Sequence, residues 1–244
     1  MRALKGRGIQ WQAGVTSKLA QDDRMLELAA AGGCTMLSIG FESISRATLK
    51  SVHKHVKRPE TFAALVEKVH SYGIMVFGLF MFGFDGDEGS VFEETVNFNI
   101  NTKNDACAYS VLTPYPGTLT WYEMKKANRI VSFDWEKYDQ GHVVYRPAQM
   151  SGDELRLGQS KTYETFYSLH SIASRFPMRG PRHRTQWLIY NTFMRRGSKT
   201  ERIDSIAAAT PAPDTSPMPP ILPVKREWRA AVLEATHGSG PPLG

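Results

Sequence analysis

The chain has 244 residues, of which 41% are hydrophobic and 22% charged, and its formal net charge is +6. This composition is ordinary for a globular protein with one main core, and it argues against a wholly disordered chain. The longest apolar run covers only residues 74–84, well short of the ~20 residues that a membrane-spanning helix needs. The basic residues are scattered and lack interleaved aromatic side chains, so we predict no nucleic-acid partner.

Cys34 and Cys107 each lie inside a strand-like apolar run. Cysteines in such runs behave as small buried hydrophobic residues more often than as disulfide partners. Free thiols are typical of the reducing cytoplasm, and the residues after Met1 lack the apolar core of a signal peptide. The sequence therefore predicts a cytoplasmic protein without a disulfide.

The first part of the chain alternates between strand and helix patterns. Residues 9–15 form a predicted strand, and a helix over residues 21–31 follows. Asp22 is the predicted cap of this helix, and the Gly-Gly pair after it is the predicted stop. A short buried strand is predicted at residues 35–40, and a polar connection follows.

Pro59 opens the next predicted helix, which ends at Gly73. The apolar residues of this helix recur with helical spacing at Phe62, Leu65, Val66 and Val69. Residues 74–82 are apolar on both faces, as is typical of a strand in a parallel sheet covered by helices. A Ser-Val-Phe-Glu capping box at residues 90–93 predicts a third helix, and residues 106–112 predict a fourth strand.

Such repeated strand–helix units predict an α/β fold with a parallel sheet or barrel. Binding groups in these folds gather at the carboxyl edge of the strands. Three loops directly follow predicted strands: Glu42 with Ser43, residues 83–88 and residues 113–118. We therefore expect these three loops to converge on one mouth.

Glu42 stands at the end of a buried strand, where a carboxylate is costly unless it is solvated or accepts hydrogen bonds. A ligand hydroxyl or amine would satisfy it, and a helix-capping or loop-pinning role is the alternative. Gly78 and Gly83 bracket an apolar strand, where glycine marks either a close approach of ligand or simple turn geometry. Tyr115 sits in a rigid proline turn that holds it over the mouth or merely ends the strand.

The acids and histidines of the chain do not predict a metal site. Asp85, Asp87 and Glu88 lack the spacing of a calcium loop, which favours solvated loop acids. The histidines have no partner spacing suited to zinc. No Ser-His-Asp constellation or phosphate-binding glycine loop is present in the sequence.

The composition changes after residue 130. A Trp/Tyr-rich segment leads to a capping box at residues 151–154 and to a helix that carries four ring-bearing residues on one face: Tyr163, Phe166, Tyr167 and His170. We predict a barrel domain over residues 1–130 and a helical extension over residues 131–204 packed on it.

Residues 205–244 hold eight of the 14 prolines and predict a mostly disordered tail. A short basic helical pattern around Trp228 leaves open a peripheral contact with a partner or a membrane surface.

Three segments, in this order and spacing, carry a family resemblance: residues 31–43 (AGGCTMLSIGFES), residues 72–87 (YGIMVFGLFMFGFDGD) and residues 112–118 (LTPYPGT). Together with weaker matches between residues 9 and 196, they resemble the carboxyl-terminal portion of cobalamin-dependent radical S-adenosylmethionine (SAM) enzymes, including the hopanoid-methylase-like group.

The resemblance implies a partial (β/α)6 TIM-like barrel of which this chain holds the last four strands. It also implies SAM, a 4Fe-4S cluster and cobalamin as the cofactors. The positions that match SAM-contacting positions of the family are Glu42, Ser43, Gly40, Gly78, Gly83 and Leu112. Glu42 and Ser43 match the contact with the ribose or methionyl part, and Gly78, Gly83 and Leu112 match the adenine side.

The family holds its cluster with a Cys-x3-Cys-x2-Cys loop, whereas this chain has only Cys34 and Cys107, on different predicted strands. We therefore expect a truncated chain, inactive alone, that begins after the cluster loop and after any cobalamin domain. The predicted function is that of the SAM-contacting half of an enzyme that methylates or otherwise modifies an unactivated carbon of a lipid-like or small organic substrate. The alternative is a non-catalytic fragment that acts as a binding module.

Overall fold

The computed structural model describes residues 1–51, 59–177 and 181–207, and its centre is one parallel sheet. Four strands follow the order of the chain across this sheet, and each pairs in parallel with the next. They are β1 (Trp11–Val15), β2 (Cys34–Glu42), β3 (Met75–Phe82) and β4 (Ala106–Val111). The predicted α/β fold with about four parallel strands is confirmed.

Helices join and flank the strands. They are α1 (Asp23–Ala31), α2 (Arg46–Ser51), α3 (Phe62–Ser71), α4 (Val91–Asn101), α5 (Leu119–Lys126), α6 (Gly152–Phe166), α7 (Leu169–Arg175) and α8 (Pro181–Ala207). The Asp22 side chain accepts a hydrogen bond from the Met25 amide at 3.0 Å, as the predicted cap of α1 requires. The sequence pattern did not predict α2, which lies in the stretch expected to be a polar connection.

The two faces of the sheet differ in burial. One face is covered by α1, α3, α4 and α6 and forms the main core, with side chains that include Leu37, Ile39, Phe41, Val76, Phe80, Phe82, Cys107, Tyr109 and Val111. The four apolar residues that predicted α3 all lie in this core. The opposite face carries half-buried residues: Ser38, Gly40, Phe77, Leu79, Met81, Ala108 and Ser110. We call this the open face.

Helices α7 and α8 cover only one end of the open face. Trp187 packs there on Met36 and Met75, near the beginnings of β2 and β3. The half-buried part of the open face therefore lies toward the carboxyl ends of the strands, which is the edge that the sequence predicted to bind ligand.

Side chains of α6, and of Tyr167 directly after it, make hydrogen bonds with backbone groups at the free edge of β4. The Tyr167 hydroxyl accepts from the Cys107 amide at 3.0 Å and donates to the Cys107 carbonyl oxygen at 2.7 Å. The Tyr163 hydroxyl accepts from the Tyr109 amide at 2.9 Å, and Gln159 donates to the Tyr109 carbonyl oxygen. An exposed strand edge is a template for pairing with other chains, so this packing blocks sheet extension past β4.

Arg175 joins the helical extension to the beginning of β4. Its guanidinium is buried and donates to the carbonyl oxygens of Asn104, Asp105 and Phe166. Burial lowers the pKa of this guanidinium. The cation also lies 3.7 Å from the centre of the Phe166 ring, in a cation–π contact.

Two local predictions about helix starts and ends were wrong. Ser90 precedes α4, but its backbone is helical and its side chain makes no capping hydrogen bond, because the turn from Glu88 already leads the chain into the helix. The capping box at Ser151 and Glu154 is present. However, α6 ends at Phe166, so His170 lies on α7 and is exposed instead of sharing a face with Tyr163.

The extension is helical only from α6 onward. Residues 131–150 form loops with one short 3-10 turn, and Ile130 makes an isolated antiparallel bridge to Tyr145. Helix α8 runs to Ala207, which places the first residues of the predicted tail in a helix. Residues 208–244, with the pattern around Trp228, lie outside the described residues.

Candidate functional site

The carboxyl ends of β2, β3 and β4 lie side by side, as predicted. Glu42 is the last residue of β2 and pairs in register with Phe80 of β3. The Leu112 amide, just after β4, donates to the Phe82 carbonyl oxygen at 2.8 Å. The three strand-end loops therefore meet at one edge of the sheet.

Glu42 has an unusual backbone conformation at this edge. Its φ angle is +69°, and the pairing of β2 with β3 shifts register between Gly40 and Glu42. A left-handed φ is uncommon outside glycine, and such strain clusters at functional sites. The Glu42 carboxylate folds back over Gly40, where a Cβ atom would lie 2.8 Å from Oε1. The bulge and the missing side chain of Gly40 together hold a half-buried carboxylate on the open face.

Ser43 and the residues after it form a hydrogen-bonded turn. Ser43 is buried, and its hydroxyl oxygen accepts from the Ser45 amide at 3.0 Å. The Ser45 hydroxyl oxygen accepts in turn from the Thr48 amide at 3.3 Å. The Ser43 hydroxyl thus fixes the turn that leads into α2.

Gly78 and Gly83 are both surrounded by the protein's own atoms. A Cβ atom on Gly78 would lie 2.8 Å from the Phe80 ring and 3.3 Å from the Cys107 sulfur. The position of the missing side chain therefore faces the main core and not the open face. Gly83 has a φ of +98°, and a Cβ atom there would overlap Tyr145 and Leu155. Packing and turn geometry account for both glycines, and their role toward a ligand stays a prediction.

Of the three loop acids after β3, Asp85 and Glu88 are exposed as expected, and Asp87 is buried. Asp85 forms a two-point ion pair with Arg129, at 2.8 and 2.6 Å, which raises the pKa of the guanidinium. Glu88 is exposed, but Asp87 is only 1% exposed. Burial raises the pKa of the Asp87 carboxyl, and hydrogen bonds from Thr48, Gly83 and Phe84 offset part of that rise.

Asp87 and Thr48 are the residues of this edge that the sequence analysis missed. The sequence signal was an acid four residues after the glycine that ends a strand, and that pattern also fits a solvated turn. Tyr115, by contrast, is 40% exposed, and its hydroxyl oxygen accepts from Gln140. Within the described residues, no group of three histidine, cysteine or acidic side chains could hold a metal ion. Both cysteines are free and buried.

This fold and this edge define a class of α/β protein that places ligand sites beyond the carboxyl ends of parallel strands. Two curated relatives narrow the class. The chain is 34% identical over 199 residues to the bacteriochlorophyllide d C-12(1)-methyltransferase of Chlorobaculum tepidum, covering 80% of this chain and 42% of that protein. It is 26% identical over 173 residues to the bacteriochlorophyllide d C-8(2)-methyltransferase of the same organism, covering 70% of this chain and 38% of that protein.

The chain is a homologue of these radical SAM methyltransferases of the cobalamin type and matches a carboxyl-terminal portion of them, which confirms the predicted family. It spans about two fifths of the length of the two relatives. A solved radical SAM methyltransferase, TsrM from Kitasatospora setae, superposes with a TM-score of 0.45 at 16% identity, covering 82% of this chain and 45% of that one. No family model matches the chain. None of the helices within the described ranges combines the length and apolar character that crossing a bilayer requires.

Proposed function

We propose that this chain is the SAM-binding part of a radical SAM methyltransferase that modifies a small tetrapyrrole-like substrate. The observation that carries the proposal is the homology to two methyltransferases that act on bacteriochlorophyllide d. A further relative, 24% identical over 169 residues, is the anaerobic magnesium-protoporphyrin IX monomethyl ester cyclase of Cereibacter sphaeroides. These three relatives share a class of substrate, a tetrapyrrole ring, although their reactions differ.

Glu42 is the residue we assign to SAM first. Its half-buried carboxylate lies on the open face at the edge where three strand ends meet. A carboxylate in that position gains from hydroxyl or ammonium donors, and SAM offers both, on its ribose and on its methionyl group. Gly40, directly beneath the carboxylate, leaves room for it. We assign Ser43, Gly83 and Leu112 to the same site as strand-end positions that shape it. Gly78 lies within β3, and we assign it to the site through the backbone of that strand.

The open face suits an apolar substrate. Leu79 and Met81 of β3 are half-buried there. Apolar side chains that keep part of their surface exposed gain by burying it against an apolar ligand. A tetrapyrrole ring is such a ligand, and the lipid-like substrate predicted from the sequence is another. The relatives favour the tetrapyrrole.

We propose a 4Fe-4S cluster and cobalamin as cofactors of the whole protein, on the strength of the family. The described residues do not fit the cluster. Cys34 and Cys107 lie on different strands, both thiols are buried, and no third ligand joins either of them in the described ranges. No step of radical chemistry is therefore assigned to a residue of this chain, whose part is to bind and orient SAM and substrate.

Binding of SAM to the chain tests the proposal. Ligand-observed NMR and calorimetry with S-adenosylhomocysteine and SAM should detect binding to the wild type. Glu42→Gln should weaken it about tenfold, because the charge-assisted hydrogen bonds become neutral ones. Glu67→Gln, on an exposed face of α3, is the matched control and should bind like the wild type. If the wild type binds neither compound at millimolar concentration, the proposal is wrong.

A second candidate function, a non-catalytic binding module, is favoured by one observation. Strand β1 lies at the edge of the described sheet, and its Gln12 and Gly14 are exposed. Exposed strand edges pair readily with other chains. Concentration-dependent self-association in light scattering, with no binding of SAM, would support this function, and a monomer that binds SAM would refute it.

A further inference from the structure

We propose that Asp87 is a positioning residue that joins the carboxyl ends of β2 and β3 and so fixes Glu42 and Ser43 relative to Gly83. The structural part of this inference stands on contacts within the chain. Its consequence for SAM rests on the proposed function. Asp87 does not lie on the open face, and we assign it no contact with ligand.

Both oxygens of the Asp87 carboxylate are used inside the protein. Oδ1 accepts from the Thr48 hydroxyl at 2.7 Å, and Oδ2 accepts from the amides of Gly83 at 2.9 Å and Phe84 at 3.1 Å. The side chain is 1% exposed. A buried carboxylate with three donors is a strong and directional connection, and here its donors come from α2, which follows β2, and from the end of β3.

Asp87 is connected to the end of β2 through a series of hydrogen bonds made by Thr48, Ser45 and Ser43. Thr48 lies in α2, and its amide donates to the Ser45 hydroxyl, while the Ser45 amide donates to the Ser43 hydroxyl. The stretch that follows Glu42 is therefore anchored at Ser43 and again at Thr48. Since Glu42 has a left-handed backbone at a bulge, the surrounding structure must hold it there.

Asp87 is bonded directly to the backbone at the end of β3. The Gly83 and Phe84 amides point at Asp87 Oδ2, and the Gly83 carbonyl oxygen accepts from the Tyr145 hydroxyl at 2.5 Å. The amide and the carbonyl oxygen of Gly83 are thus both hydrogen-bonded to buried side chains. Binding residues keep their positions to within about 0.5 Å only when neighbouring residues make supporting contacts of this kind.

The experiment compares Thr48→Val with Thr48→Ser in the whole chain. Valine keeps the shape of threonine and removes the hydroxyl that reaches Asp87, whereas serine keeps the hydroxyl. Thr102→Val is the matched control, because the Thr102 hydroxyl bonds only to carbonyl oxygens of its own helix, α4. Two quantities are measured for each variant: hydrogen–deuterium exchange of the peptides over residues 42–51 and 80–87, and the dissociation constant of SAM.

If the inference holds, Thr48→Val speeds exchange in both peptides and weakens SAM binding about tenfold, since small displacements of binding groups are costly. Thr48→Ser and Thr102→Val stay near the wild type.

The outcomes separate the two proposals. Unchanged exchange over residues 80–87 in Thr48→Val would show that Asp87 does not join the two strand ends. A wild type that binds SAM, with variants that bind it equally well, would overturn the positioning role. A wild type that does not bind SAM would refute the proposed function, and the exchange of the two peptides would still decide whether Asp87 joins the strand ends.

Discussion

The Tyr145 hydroxyl lies 2.5 Å from the carbonyl oxygen of Gly83, and it occupies the space that a side chain at position 83 would need. Tyr145 belongs to the segment after the last strand, and Gly83 directly follows β3. The contact therefore connects the extension to the carboxyl edge of the sheet. It also explains why a glycine stands at this strand end.

Removing the Tyr145 hydroxyl should weaken the fold. In Tyr145→Phe the ring still fills the core, but the buried Gly83 carbonyl oxygen loses its donor, which costs about 1–2 kcal/mol of unfolding free energy. Urea denaturation measures this loss. Tyr122→Phe, at a 42% exposed tyrosine, is the control and should change the unfolding free energy by less than about 0.5 kcal/mol. Equal stability of the two variants would contradict the prediction.

A side chain at position 83 should be more damaging still. Gly83→Ala places a Cβ atom in overlap with Tyr145 and Leu155 and keeps a φ of +98°. We expect a loss of about 3 kcal/mol or more, since overpacking and backbone strain add. Gly89→Ala is the control, because nothing lies within 4 Å of a Cβ atom there. Thermal unfolding of both variants, followed by circular dichroism, should show a large drop only for Gly83→Ala.

The tyrosines that cover the edge of β4 should differ in importance. Tyr167→Phe removes two hydrogen bonds with the buried backbone of Cys107, whereas Tyr163→Phe removes one with Tyr109. We expect losses of about 2–4 and 1–2 kcal/mol, respectively. Denaturant titrations of the two variants give the comparison, and a smaller loss in Tyr167→Phe than in Tyr163→Phe would refute it. The exposed backbone should also make Tyr167→Phe the more prone to aggregate.

Arg175 should not tolerate lysine. The buried guanidinium donates to oxygens of the residues just before β4, of α6 and of α8 at once, including Oδ1 of Asn191. A lysine keeps the charge but cannot present a planar fork of donors, so buried acceptors lose their partners. We expect Arg175→Lys to lose about 3 kcal/mol of unfolding free energy. Arg196→Lys, at an exposed position of α8, should unfold like the wild type in the same chemical denaturation experiment.

Neither thiol should react in the native protein. Burial raises the pKa of Cys34 to about 11 and that of Cys107 to about 12, and the thiolate is the reactive form. At pH 8, on the order of one Cys34 thiol in a thousand is ionised. Iodoacetamide should label both cysteines slowly in buffer and rapidly in urea, and labelling of the native protein should accelerate as the pH rises toward 11. Fast native labelling at pH 7, read by mass spectrometry, would contradict the burial of these thiols.

The sequence by itself determined the strand–helix order and the family. Strands show either an alternating pattern, as in β1, or a short apolar run, as in β2 and β3, and helix patterns have a period near 3.6. Local residues therefore suffice to place β1 to β4, α1 and α3. The caps of α1 and α6 were also readable, because a cap needs only a side chain within three residues of an amide. The convergence of the strand-end loops followed from the parallel order, since parallel strands present their carboxyl ends at one edge.

Only the tertiary structure decided what the strand-end residues touch. The patterns could not show that Asp87 is buried against Thr48, that Tyr145 fills the space beside Gly83, or that Tyr167 closes the edge of β4. Each of these contacts joins residues about 40 to 60 positions apart along the chain. Local sequence reports propensity and periodicity, whereas burial and hydrogen-bond partners depend on which distant segments pack together. In the sequence, the buried acid Asp87 therefore cannot be distinguished from its exposed neighbour Glu88.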